Sequence, residues 1–221
     1  MYVNNFKTMK EQIYEYITDA IMNGELEPNH FINESELSKK IGISRTPVRE
    51  ALIRLSCEGV LESAPRKGFM LRSMDIKEAE DLYHVIGKLD AMAAEAAINN
   101  MSDTDFQMME DLIQKMDKTI EVEDYTGYLK SQDSFHDVYI MHSGNAALFR
   151  VIESLKKEFL TRGITNDTGK YQADYLKGIN EEHKEILRLF KEGNITELTD
   201  YIENVHWNPS VAGHELFSRT K

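Results

Sequence analysis

The strongest constraint on this chain is a pair of short helices joined by one tight glycine turn. Asn33 is an N-cap, and Glu36 three residues later completes the pattern of a capping box. Leu37 and Ile41 then face inward, and Gly42 stops the helix. Ser44 caps a second helix almost at once. Pro47 lies in its first turn, where a missing N–H costs nothing. Val48, Ala51, Leu52 and Leu55 are spaced i, i+3, i+4, i+7 and form its buried side, and Gly59 ends it. Two helices this close must cross, and their apolar stripes need further cover. A helix over residues 7–23, with Met9, Ile13, Ile17 and Ile21 on one face, supplies it on the N-terminal side. Gly24 and the turn Glu27-Pro-Asn-His close that helix off.

The C-terminal side is covered by a two-stranded hairpin. Val60-Leu-Glu-Ser and Gly68-Phe-Met-Leu-Arg flank the turn Ala64-Pro-Arg-Lys-Gly. Three helices and a hairpin in this order predict a winged helix-turn-helix over residues 1–74. Its third helix turns Arg45, Thr46 and Arg49 outward near its N-terminus, the end that enters a major groove. Arginine forks onto guanine O6 and N7, and threonine meets a thymine methyl or a phosphate. Arg66 and Lys67 fall at the hairpin tip, within reach of phosphate, and Gly68 gives the tip backbone freedom.

The net charge of −12 argues against binding DNA until it is mapped. Residues 1–74 hold ten basic and ten acidic side chains, and the rest of the chain holds sixteen and twenty-eight. From Ser44 to Arg72 basic residues outnumber acidic ones six to three. Phosphate contact follows this local potential, and a distant acidic region mainly disfavours loose binding.

From Asp75 onward the apolar spacing is helical throughout. Ala79, Leu82, Leu89, Met92, Ala93 and Ala96 mark a first helix. Phe106, Met109, Leu112, Ile113 and Met116 mark a second behind the cap Ser102. Tyr125, Tyr128, Leu129, Phe135 and Tyr139 line a third, broken by Ser143-Gly-Asn. Leu148, Val151, Leu155 and Phe159 define a fourth, and Thr165 to Lys170 reads as a loop. Tyr175, Ile179, Ile186 and Phe190 define a fifth, and Leu198, Tyr201, Ile202 and Val205 a last. The fold class is mainly α, with an all-α antiparallel bundle of about six helices over residues 75–221. Polar residues interrupt these stripes. Gln132 and His136 stand four apart, His183 lies between Ile179 and Ile186, and His206 is at the edge of the last stripe. Histidines gathered from separate helices are how bundles build metal or ligand sites. Each taken alone also suits an ordinary core or surface residue.

The stretch Ile41-Gly-Ile-Ser-Arg-Thr-Pro-Val-Arg-Glu-Ala-Leu-Ile-Arg-Leu, with Glu58-Gly-Val-Leu and Pro65-Arg-Lys-Gly after it, resembles the GntR family of bacterial regulators. Asn29 departs from the family's usual Gly. The resemblance implies base or phosphate contacts for Ser44, Arg45, Thr46, Arg49, Arg66 and Gly68, with Lys67 beside them. The second half resembles the FCD effector domain of the FadR-type branch, with Phe135-His136, Ser143-Gly-Asn145 and Glu182-His183 as landmarks. It implies a homodimer on a near-palindromic operator of double-stranded DNA. It further implies a small effector, such as an organic acid or sugar acid, in contact with Gln132, His136, His183 and Asn145.

Such domains often hold a divalent metal (zinc, nickel or manganese) through one Asp and three His. Here Gln132 stands where the Asp is expected, with Asp133 one place later. Val205 stands for the third His, with His206 one place later, and Ile86 stands for a usual Arg. A one-residue offset turns a helical side chain by about 100°. That rotates Asp133 away and leaves His136 and His183 as the sound ligands. His206 is in reach only if the loop at Gly193 shifts its helix. A pocket that takes an organic ligand without metal, a bundle that only dimerises, and a metal-dependent enzymatic site on His136 and His183 are the alternatives.

No nucleophile motif, phosphate loop or HExxH pattern is present, so catalysis is not expected. Cys57 is the one cysteine, no apolar run approaches 18 residues, and the first residues lack the apolar core of a secretion signal. The expected location is the cytoplasm, with no membrane partner.

Overall fold

The structure is a computed structural model that describes residues 9–22, 25–26, 31–65, 67–71, 73–164 and 173–217. Gly24, the turn at 27–30 with Asn29, wing residue Arg66 and the loop at 165–172 lie outside the described residues. Two compact units emerge, divided at Asp75 and Ile76. The first also takes the helical segment from Lys157, a return that the linear boundary at residue 74 did not anticipate.

In the first unit, α1 (Met9–Met22) buries Ile13, Ile17 and Ile21 completely. Asn33 accepts from the backbone N–H groups of Ser35 and Glu36, which starts α2 (Glu34–Ile41). Gly42 ends that helix at φ +74°, with its N–H donating to the Ser38 carbonyl. Then α3 (Arg45–Cys57) follows the N-cap Ser44 and buries Val48, Ala51, Leu52 and Leu55. Cys57 is exposed at its end.

The wing has three strands where the sequence pattern gave two. β1 (Phe31–Ile32), β2 (Leu61–Ala64) and β3 (Gly68–Leu71) are antiparallel in the order β1-β3-β2. A two-residue strand is too short to show alternation, so β1 left no periodic signal. It explains Gly68 better than the turn alone. At φ +99° a Cβ there would stand 3.1 Å from the Ile32 carbonyl oxygen.

The second unit contains α4 (Ile76–Ala97), α5 (Asp103–Glu121), α6 (Tyr125–His142), the first part of α7 (Ala146–Ile164), α8 (Ala173–Glu192), α9 (Ile195–Tyr201) and α10 (Pro209–Phe217). A single π turn, Ile202–His206, continues α9. α5 packs on α6 and α8, while α4 packs on α6, α9 and α10. Six helices match the expected bundle, and α10 is an addition. The core is formed by Met109, Met116, Tyr128, Phe135, Tyr139, Ile186 and Leu198. Met92, Val151 and Val205, taken as inward from spacing, are all more than two-fifths exposed. On α4 the buried stripe runs instead through Ala79, Tyr83, Ile86, Asp90, Ala93 and Ala97.

The π turn is closed by the Trp207 N–H donating to the Ile202 carbonyl at 3.0 Å, five residues back. It fits one more residue into the turn than an α-helix holds. It also abuts α4 closely, since a Cβ on Gly87 would stand 2.8 Å from the Trp207 Cβ. Gly87→Ala is therefore expected to destabilise the fold by ~1–3 kcal/mol, as overpacked sites do. Urea unfolding measures this, and an unchanged midpoint would mean that the turn yields without cost.

Candidate metal centre and nucleic-acid face

On the first unit, Ser44, Arg45, Thr46 and Arg49 are all exposed on the first turns of α3. The Arg49 Nε lies 3.8 Å from a Glu34 carboxylate oxygen, a loose pair that leaves two thirds of the arginine in solvent. Lys67 is exposed at the hairpin turn, and its Nζ sits 5.4 Å from the ring centroid of Phe31. Phe31 is itself 45% exposed. A cation held over an aromatic ring is steadied without losing its charge. Sequence reasoning missed Phe31, because β1 itself was not legible.

In the second unit three histidines from three elements meet: His136 on α6, His183 on α8 and His206 at the end of the π turn. All are buried, and one ring nitrogen of each lies within 4.8 Å of the other two. The route by which His206 arrives differs from the expected one. The π turn supplies the extra residue, so the imidazole one place late in sequence is returned to the inward face while Val205 turns to solvent.

Two carboxylates set the protonation of this group. His136 Nδ1 lies 3.0 Å from the Asp90 Oδ2, which also accepts from the Tyr139 hydroxyl at 2.9 Å and the Trp207 Nε1–H at 2.7 Å. His206 Nδ1 lies 2.8 Å from the Glu182 Oε2. If each Nδ1 donates to its carboxylate, both Nε2 atoms carry lone pairs, and these face each other at 3.2 Å. Two lone pairs at that distance repel unless a proton or a cation lies between them. Among the described residues, neither ring nitrogen of fully buried His183 finds a hydrogen-bond partner.

Burial pushes the His136 imidazole down to about 4 and drives His183 well below its ordinary value, so both are neutral near pH 7. Burial opposes the charge of Asp90, but His136 and the Trp207 N–H outweigh it and hold the carboxyl below its ordinary range. Neutral imidazoles oriented by carboxylates are the state in which histidine ligates a metal. The orphaned His183 and the facing Nε2 pair therefore fit a divalent ion.

Other anticipated residues are placed elsewhere. Asp133 is excluded from the histidine group, as its carboxylate pairs with the buried Lys156 ammonium at 2.6 Å, next to Asp137 and Glu153. The competing force is the burial of Lys156, which needs anions. Asn145 is exposed and accepts from the N–H groups of Ala147 and Leu148, capping α7. Ile86 is fully buried. Gln132 does approach the centre. It lines a cavity of about 290 Å³ with His206, Glu182, Trp207, Tyr83 and Tyr175. Asp90, Tyr83 and Trp207 escaped the sequence reading, and Glu182 entered it only as a landmark without a role. Asp90 had a signal, a lone acid in register with Tyr83, Ile86 and Ala93 on an otherwise apolar stripe.

An imidazole with two unpartnered buried nitrogens destabilises a protein that holds no ion. In chelator-treated protein, His183→Leu is expected to be neutral or stabilising by up to ~3 kcal/mol, and to abolish any rise in melting temperature on adding zinc. A strong loss of stability in the absence of metal would count against a ligand role. Acid should also act through His136. Below its ordinary value of 6.5 the unfolded chain binds a proton there, whereas the folded state binds it only near 4. Stability from this group is full above 6.5 and is lost as pH falls towards 4. Denaturant titrations of chelator-treated protein should show a shallower pH slope across that window for His136→Gln than for the unmodified chain.

Residues 9–71 match the family described as bacterial regulatory proteins, gntR family, and residues 81–204 match the FCD domain. The uncharacterized HTH-type transcriptional regulator YdhC of Bacillus subtilis (strain 168) is 29% identical over 185 residues, 83% of this chain and 81% of YdhC. A probable D-xylose utilization operon transcriptional repressor of Paenarthrobacter nicotinovorans is 27% identical over 154 residues, 70% of this chain and 68% of that protein. Among solved structures, Escherichia coli McbR/YncC superposes with a TM-score of 0.81 at 20% identity, covering 95% of this chain and 99% of that one. The fold is thus shared with known regulators, and the two family matches together take in the winged unit and most of the helical one. The chain belongs to the gntR family of bacterial transcription regulators and carries an FCD domain behind its winged helix-turn-helix.

Proposed function

We propose that this regulator is a cytoplasmic homodimer that holds a near-palindromic operator and is switched by a small molecule bound at a divalent metal in its helical unit. The observation that carries the reading is the facing pair of Nε2 atoms on His136 and His206, oriented by Asp90 and Glu182 and joined by the orphaned His183. That arrangement is a liability in an inert bundle core and an asset around a cation. Three imidazoles with the amide of Gln132 nearby suit zinc or nickel better than manganese, which prefers carboxylates. A bound ion supplies a Lewis-acidic contact for one donor atom of the effector. The chain's own residues orient the imidazoles, shield them from water and shape the adjoining cavity.

At the operator, Arg45, Thr46 and Arg49 read base edges from the N-terminal turns of α3, with Ser44 at the cap. Lys67, together with Arg66 and Gly68, meets the backbone from the wing. The effector acts by favouring one arrangement of the dimer over another. It shifts occupancy only as far as its affinity differs between the two. Repression is the favoured sense, since a relative is named as a repressor. No catalysis is proposed, as both family matches are to regulators.

The test is fluorescence anisotropy with the chain's own upstream DNA at several salt concentrations. Arg49→Ala should weaken operator binding by ~1–3 kcal/mol and relax specificity. Lys67→Ala should weaken all duplexes alike and lower the salt slope by about one. Full operator affinity in Arg49→Ala would overturn the assigned readout.

A further inference from the structure

The cavity beside His206 has a lining that speaks to the charge of its ligand. It is about 290 Å³ in volume, room for a small metabolite, and it is bounded by elements of the second unit alone. Three aromatic side chains, Tyr83, Tyr175 and Trp207, share the wall with Glu182, Gln132 and His206. Asp174 stands at the rim, almost fully exposed and 3.7 Å from Lys177. Among the described residues, no lysine or arginine lines the cavity. The position where the resemblance leads one to expect an arginine holds Ile86, an apolar side chain sealed in the core.

Charge bookkeeping around the centre points the same way. Asp90 and Glu182 each orient one ligand histidine, so together they carry two negative charges beside the site. A divalent ion held by neutral imidazoles would be balanced by these two carboxylates alone. An effector bearing two or more negative charges would then find one metal contact and, among the described lining residues, no further cation, with Glu182 repelling its remainder. Glu182 is about 30% exposed and reaches the cavity as well as His206. A carboxylate among aromatic rings is the chemistry that receives an ammonium group.

We infer that the effector of this regulator carries a cationic nitrogen, an amine or quaternary ammonium, held in the Glu182, Tyr83, Tyr175 and Trp207 cavity while another donor atom of the same molecule meets the metal. The inference rests on the metal-centred reading above, and it departs from the organic or sugar acid that the resemblance implies. It assigns Glu182 two tasks, fixing the His206 tautomer and pairing with the ligand's charge. It also assigns the aromatic wall a role beyond packing.

The test uses the full chain loaded with zinc and two molecules of equal length that differ in charge, 5-aminopentanoate and glutarate, with choline as a third probe. Binding is read by calorimetry and by melting temperature, and zinc content by elemental analysis. The expected result is that 5-aminopentanoate or choline binds at least about tenfold more tightly than glutarate. Glu182→Gln, which keeps an acceptor for His206 and is assayed with zinc in excess so that the centre stays filled, should remove most of that preference. Equal or tighter binding of glutarate overturns the inference, as does a failure of both ammonium-bearing probes to bind. Loss of zinc from the unmodified chain on dialysis is a separate result that overturns the metal reading. Selective binding of the cations to chelator-treated protein would then still uphold the charge assignment.

Discussion

The helical unit depends on a carboxylate that has no contact with solvent. Asp90 sits inside the bundle, and its Oδ2 gathers three hydrogen bonds, from His136 and Tyr139 on α6 and from Trp207 beyond the π turn. An isolated buried carboxylate is among the most costly groups a core can hold. Three converging donors make it tolerable, and each donor is thereby fixed in place. One anion thus ties α4 to α6 and to the C-terminal turn, and it selects the tautomer that leaves the His136 Nε2 free. Stability and ligand geometry share a single group here.

The π turn solves a problem of register. With ordinary helical spacing, position 205 would face the centre and position 206 would point away. An extra residue in the turn reverses this, and Val205 is the side chain left in water. Such insertions interrupt regular hydrogen bonding and survive where they serve a site. In this chain the close approach of Gly87 on α4 gives the turn room, and the Trp207 indole anchors its end on Asp90. Gly87, Trp207 and Asp90 therefore act as a unit although they lie far apart in the chain.

Charge is arranged by unit. The excess of acid belongs to the helical region, where much of it forms surface pairs such as Lys184 with Glu181 and Arg188 with Glu185 and Glu192. Pairs this exposed contribute little individually to stability. A deeper cluster, Lys156 with Asp133, Asp137 and Glu153, is different. Its lysine is nearly sealed off and its anions satisfy it, which keeps Asp133 apart from the three histidines. The net acidity leaves the basic face of α3 and the wing as the surface suited to phosphate.

The sequence by itself determined whatever depends on neighbours along the chain. The Asn33 cap, the Gly42 stop and the i, i+3, i+4, i+7 stripe of α3 are local, so the helix-turn-helix and its outward arginines were legible from spacing. The bundle's helices were legible for the same reason. Only the tertiary structure decided the centre. Whether Asp133 or Gln132 faces His136, whether His206 reaches it and what orients each imidazole depend on Lys156, on the π turn and on Asp90, partners tens of residues away. Periodicity assumes a constant 3.6 residues per turn. It therefore had no means of registering one extra residue at 202–206, nor a third strand only two residues long, since both are fixed by what the rest of the fold packs against them.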